Sequence, residues 1–104
     1  MFARVSIMQA SPKHLEEGIR YVQSMPSPGD QRMAGFRGAF LLVDRTSAKV
    51  MTITLWETEQ DVQESAEGAG RLRAAISQAF GFTGTPVVEV YEVAAVDEAP
   101  GGGR

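Results

Sequence analysis

The chain has 104 residues and a mass of 11.2 kDa, room for one domain and not two. A net charge of −3 argues against an electrostatic grip on nucleic acid or an anionic membrane, and the absence of cysteine excludes disulfides, iron–sulfur clusters, thiolate zinc sites and cysteine nucleophiles. His14 is the one histidine, which leaves no multi-histidine metal centre within a chain.

Nothing in the N-terminal residues reads as a signal peptide, and no apolar run approaches the ~18 residues of a membrane span, so a cytoplasmic protein is expected. With 43% of its residues hydrophobic, the chain can build a modest core. Arginine outnumbers lysine eight to two and asparagine is absent, a usage that reads first as coding bias.

Phe2 to Gln9 alternates Ala3, Val5 and Ile7 against Phe2, Arg4, Ser6 and Met8, the period of a strand. Ser11-Pro12 reads as a helix start, and Leu15, Gly18, Ile19, Val22 and Met25 recur at helical spacing, so a helix is expected from Pro12 to Ser24. The Pro26-Ser27-Pro28-Gly29-Asp30 run ends it. A loop from Pro26 to Gly35 follows, longer than the ~4–6 residues common in compact domains, and reads as a crossover or as a flap.

Phe36 to Val43 reads as a second strand, Asp44 to Ala48 as a hairpin turn, and Lys49 to Trp56 as a third strand. The last of these splits into one face of Met51, Ile53 and Leu55 and another of Val50, Thr52, Thr54 and Trp56. Thr58 with Asp61 marks a second helix, expected to run to Phe80 and stop at Gly81, with a kink or break at Gly68 and Gly70. Val87 to Val93 closes the series as a strand. The stretch from Glu98 to Arg104, with Pro100 and three glycines, has the composition of a disordered tail.

The order β-α-β-β-α-β is that of a ferredoxin-like α+β fold, residues 1–95 forming one domain and 96–104 its tail. Right-handed crossovers put both helices on one face of a four-stranded antiparallel sheet. The second and third strands are apolar on both faces, however, and two helices cover only one. A second copy of the chain packed through the sheet face away from the helices is the simplest cover, so a homodimer is expected.

Trp56, Thr52 and Thr54 place an indole N–H and two hydroxyls on an apolar wall, the equipment of a pocket for a small aromatic ligand; the same pattern also suits a core tryptophan flanked by good strand formers. His14 and Tyr21 lie seven apart on one flank of the first helix with Gly18 between them, and are the weak candidates for acid–base work. Gly18 leaves space there for a ligand or for a close-packed partner. Arg73 falls within the stripe Val62, Ala66, Ala69, Ile76 and Phe80 if the second helix is unbroken. A kink at the glycines would instead turn Leu72, Ile76 and Ala79 inward and Arg73 outward, the arrangement favoured by the cost of burying an unpaired charge. No phosphate-binding glycine loop, nucleophile elbow or dinucleotide fingerprint is present, and the basic aromatic face of an RNA-recognition domain is missing.

Gly35-Phe36-Arg37-Gly38, Asp44 in the hairpin and Leu55-Trp56-Glu57-Thr58-Glu59-Gln60-Asp61 together resemble the antibiotic biosynthesis monooxygenase (ABM) family of the dimeric α+β barrel superfamily, over residues 2 to 95. The resemblance implies a homodimer of packed sheets and a cavity between helices and sheet in each subunit. It also implies oxidation of a polyphenol by O2 without metal, flavin or other cofactor, with Trp56 in the cavity. Members with a catalytic asparagine carry it four residues before this tryptophan, where Thr52 stands here. The haem-degrading branch needs an asparagine, a helical tryptophan and a histidine on the second helix, none of which this chain has. Two other functions fit the same fold: a non-catalytic small-molecule-binding or stress-associated homodimer, and, less well, a proton-transfer isomerase.

Overall fold

In a computed structural model, residues 1–25 and 33–97 are described, and they form a four-stranded antiparallel sheet in the order β2-β3-β1-β4 with its helices on one face. The strands are β1 (Phe2–Gln9), β2 (Phe36–Asp44), β3 (Lys49–Trp56) and β4 (Val87–Glu92). This is the ferredoxin-like α+β fold, and both ends of all four strands lie within one residue of those expected from alternation. The tail from Glu98 onward, and Pro26 to Arg32 of the long loop, lie outside the described residues.

The first helix begins later than its proline suggests. Pro12–His14 forms a single 3-10 turn, and the α-helix proper, α1, is Leu15–Gln23. Proline supplies no N–H and is at home in such a first turn. Leu15, Gly18 and Ile19 form the buried stripe of α1, while Glu16 on its exposed side pairs with Arg45 of the hairpin.

The second helix is two helices, α2 (Glu59–Glu64) and α3 (Ala66–Ala79), and the break falls at Ser65 rather than at the expected Gly68 and Gly70. Thr58 caps α2 as expected, its hydroxyl accepting from the Asp61 amide at 3.1 Å. At the break, the Ser65 hydroxyl donates to the Val62 carbonyl at 2.9 Å, satisfying an acceptor that the end of α2 leaves over. The glycines instead lie in the first turns of α3, where the open space beside them is taken by the guanidinium ends of Arg71 and Arg73.

Strand pairing fixes which residues face the helices. Phe2, Arg4, Ser6 and Met8 stand opposite Trp56, Thr54, Thr52 and Val50, and these eight share the helix side of the sheet. The other side carries Ala3, Val5 and Ile7 of β1 opposite Leu55, Ile53 and Met51 of β3. Over β1 and β3 the sheet therefore turns its mixed face inward and an apolar face outward, the reverse of a half-solvated sheet, while β4 adds Val87, Glu89 and Tyr91 to that outer side. Phe40 and Leu42 of β2 extend the outer face and are 56% and 47% exposed.

The core lies toward the β2–β3 hairpin, at the opposite end of β3 from Trp56, around Met8, Leu15, Ile19, Val50, Ile76 and Phe80. Among the described residues no helix is long and apolar enough to cross a membrane.

The β2–β3 hairpin turns on Asp44, whose carboxylate accepts from the amides of Thr46 at 3.0 Å and Ser47 at 3.4 Å. These bonds, the Thr46 amide first, hold the Asp44 carboxyl below its ordinary value. A carboxyl depressed in the folded state stabilises above the unfolded value of about 4 and stops doing so as pH falls through the folded value. Asp44→Ala is therefore less stable than the parent at pH 7, and the gap in denaturant midpoint closes on acidification below pH ~4. A gap of constant size across that range would assign the loss to backbone preference instead.

Candidate functional site

A cavity of about 760 Å³ lies between the helix face of the sheet and the helices, on the β2–β3 side. That is within the ~300–1,000 Å³ of small-molecule sites. The sheet supplies Arg4, Ser6, Ala39, Leu41, Thr52, Thr54 and Trp56; Val22 of α1 and Leu72, Arg73 and Ile76 of α3 supply the facing wall.

A bulge shapes the β2 side. Phe36 pairs with Trp56 but Gly38 pairs with Leu55, so Arg37 is an extra residue. By strict alternation Phe36 would share the outer face with Gly38 and Phe40. The extra residue rotates it to the cavity face, beside Ala39 and Leu41. Its ring meets Trp56 edge-on, centroids 5.6 Å apart at 72°. Arg37 itself reaches out of the sheet to pair with Glu57. Gly35 precedes the bulge with φ +77°, and a Cβ there would fall within 2.1 Å of the Asp61 carboxylate, so a glycine is required on both counts. The Gly35-Phe36-Arg37-Gly38 segment is thus the device that brings a second aromatic ring to the cavity.

Trp56 is 2% exposed and its indole N–H donates to Thr54 Oγ1 at 2.8 Å. The indole N–H is thus taken by the protein, and Phe36 and Arg4 pack against its ring. Thr52 is left as the β3 hydroxyl in the wall without that duty, next to the buried Ser6 across the pairing.

Sequence reasoning missed Arg4. It sits on β1 under the helices and is 5% exposed, the one charged residue so buried among the described residues. One guanidinium nitrogen donates to the Val62 carbonyl and, at 3.1 Å, to the Ser65 hydroxyl, so Arg4 ties β1 to the α2–α3 break. The guanidinium carbon lies 5.6 Å from the centre of the Trp56 ring, a cation–π distance. Its other terminal nitrogen is buried without a hydrogen-bond partner among the described residues. Burial, and then the charge of Arg73, lower the pKa of Arg4 from its ordinary value. The available signal was parity: Arg4 shares a face with Phe2 and Met8, but an arginine in an edge-like alternating run reads as solvent-facing.

Arg73 is half-buried and belongs to the cavity wall, where the expected kink would have turned it outward. With the break at Ser65, α3 presents both Leu72 and Arg73 to the cavity. His14 and Tyr21 are not in the lining. His14 packs beside Gly81 just past α3, its Nδ1 buried without a partner, and Tyr21 is 40% exposed. The space at Gly18 is filled by Phe80 and not by a ligand. Among the described residues, the wall holds three arginines, Arg4, Arg71 and Arg73, and no carboxylate or histidine.

No family model matches the chain. The uncharacterized protein Rv2557 of Mycobacterium tuberculosis (strain ATCC 25618 / H37Rv) is 35% identical over 96 residues, which are 92% of this chain and 42% of that protein. The chain thus spans less than half the length of the curated relatives it matches. A solved monooxygenase from the gene ActVA-Orf6 of Streptomyces coelicolor, in complex with nanaomycin D, superposes with a TM-score of 0.71 at 18% identity, covering 94% of this chain and 92% of that one. A solved antibiotic biosynthesis monooxygenase gives 0.65 at 12% identity over 91% and 100% of the two chains. A dimeric ferredoxin-like protein from an uncultured marine organism gives 0.67 at 12%, over 93% and 92%. The chain shares the ferredoxin-like α+β fold of these structures over more than nine-tenths of its length.

Proposed function

We propose that this domain binds a small, flat, electron-rich aromatic compound between sheet and helices and oxidises it with O2 without a cofactor. The observation that carries the reading is the cavity: an apolar slot walled by Trp56 and Phe36, with Thr52 and cationic groups as its polar content, on a fold shared with solved monooxygenases. In that chemistry the substrate supplies its own electrons. A phenol deprotonated to its phenolate passes one electron to O2, the radical and superoxide combine at a ring carbon, and the hydroperoxide loses water to leave a quinone. One O2 is consumed and one water released per quinone formed. Nearby guanidinium groups favour the phenolate over the phenol, so the proton can leave to solvent. Confinement excludes water from the ring carbon that reacts.

A partner completes the fold. The outward face, apolar over β1 to β3 with Phe40 and Leu42 exposed upon it, is the surface that a second copy would cover, and a dimeric protein is among the structural neighbours. Light scattering of the whole protein is expected to return twice the chain mass at micromolar concentration; a monomer mass would remove the barrel.

The wall's lack of a histidine or carboxylate among the described residues favours a second reading, a binding domain of the same fold that lacks the chemistry. Oxygen uptake separates the two. With a polyphenol and no additive, the oxygenase consumes O2 in step with quinone absorbance. A protein that binds the compound saturably but leaves O2 untouched is the binding domain, and product formed without O2 would mark an isomerase.

A further inference from the structure

Resting on the cavity reading above, the geometry points to a ligand that is an anion: we propose that Arg4, with Arg73 beside it, holds a carboxylate or phenolate oxygen of the bound aromatic compound. Arg4 enters from the floor of the cavity and Arg73 from its helical wall. The guanidinium of Arg4 is divided between two tasks. One nitrogen serves the α2–α3 break through Val62 and Ser65, which fixes the orientation of the plane; the other is buried without a partner among the described residues.

A buried N–H donor on a charged group is costly to leave unpaired. Among the described residues no ion pair reaches Arg4 or Arg73, whereas Arg71 is paired with Glu67 at 3.5 Å. The charge of Arg73 adds to the burden on Arg4 rather than relieving it. Two like charges facing one apolar space are both relieved by a single anionic oxygen. The Trp56 ring lies beneath the Arg4 guanidinium at 5.6 Å, so an aromatic acid whose oxygen meets that guanidinium sets its own ring against the apolar wall of Phe36, Leu41 and Leu72.

The test compares 1-hydroxy-2-naphthoate with its neutral isostere 1-hydroxy-2-naphthamide, read by quenching of Trp56, the one tryptophan of the chain. The acid is expected to bind at least about tenfold more tightly, as befits charged hydrogen bonds in a dry site. Arg73→Gln, at a half-exposed helical position, is expected to keep its circular dichroism and lose most of that preference. Arg4→Lys keeps the charge but not the fork, and is expected to weaken the acid while sparing the amide. Equal, saturable binding of acid and amide would overturn the anion site and leave the cavity reading standing. Failure of both compounds to bind would remove the two together. Retention of the full acid preference in Arg73→Gln and Arg4→Lys would place the anion elsewhere and overturn the assignment.

Discussion

Gly18→Ala is expected to lower the thermal midpoint by on the order of 10 °C, although alanine is the better helix former by about 1 kcal/mol. A Cβ built on Gly18 lies 2.2 Å from Cδ1 of Phe80 and within 2.5 Å of two further ring carbons. Phe80 has no exposed surface and sits in the core cluster with Leu15, Ile19 and Ile76, so the ring has nowhere to go. Overpacking of this severity costs about 3 kcal/mol, which exceeds the gain in propensity and leaves a net loss of ~2 kcal/mol. The interaction is checked by a double-mutant cycle. Phe80→Leu alone is destabilising, but in its background Gly18→Ala should cost little or become favourable. An equal cost of Gly18→Ala in both backgrounds would locate the strain elsewhere than at Phe80. Because α1 and α3 meet through this contact, the same glycine sets how closely the two helices approach over the sheet.

How this contact escaped the sequence is instructive. Helical spacing put Gly18 on the inner flank of α1 and Phe80 on the inner stripe of the second helix, and each assignment holds. What periodicity lacks is distance between elements far apart in the chain, so the space at Gly18 could be read equally as room for a ligand. The strands were legible for the opposite reason. A period of two is unambiguous, and once the order β-α-β-β-α-β was recognised a four-stranded antiparallel sheet with its helices on one face followed from it.

The site was legible only in part. Trp56, Thr52 and Thr54 were grouped by alternation, and all three reach the cavity. Phe36 was lost because a bulge breaks the alternation that would have found it. Arg4 was lost because a charged residue on a strand reads as exposed until the partner strands show which face is covered. An outward Arg73 was favoured over an inward one because the break was assigned to Gly68 and Gly70, residues with poor helix propensity, whereas the half-buried side chain lines the cavity. The chain breaks instead at Ser65, where a side chain can satisfy the freed carbonyl and accept a bond from Arg4. His14 and Tyr21 illustrate the converse: the right residue types, seven apart on a helix, do not reach the cavity because its helical wall is formed by other residues.

Trp56 is where stability and binding can be separated. Trp56→Ala removes a side chain that is 2% exposed and contacts both Phe36 and Arg4, and a loss of about 3–5 kcal/mol is expected, enough to unfold much of a domain of this size. Trp56→Phe keeps a ring, but leaves Thr54 Oγ1 without the indole N–H and Arg4 over a weaker π face, at ~1–2 kcal/mol. Thr54→Val isolates the first of those effects, since it removes the acceptor and keeps the indole. Denaturant titrations followed by circular dichroism report the stabilities without needing tryptophan emission. Equilibrium dialysis of 1-hydroxy-2-naphthoate then reports the site. If Trp56 is a wall of the cavity, Trp56→Phe weakens binding about tenfold, the scale of a lost stacking partner, while Thr54→Val costs stability and leaves affinity within a factor of ~2. Stability losses of the expected size with unchanged affinity in Trp56→Phe would make the tryptophan a core residue alone. The ligand would then have to be held by Arg4, Arg73 and the opposite wall without it.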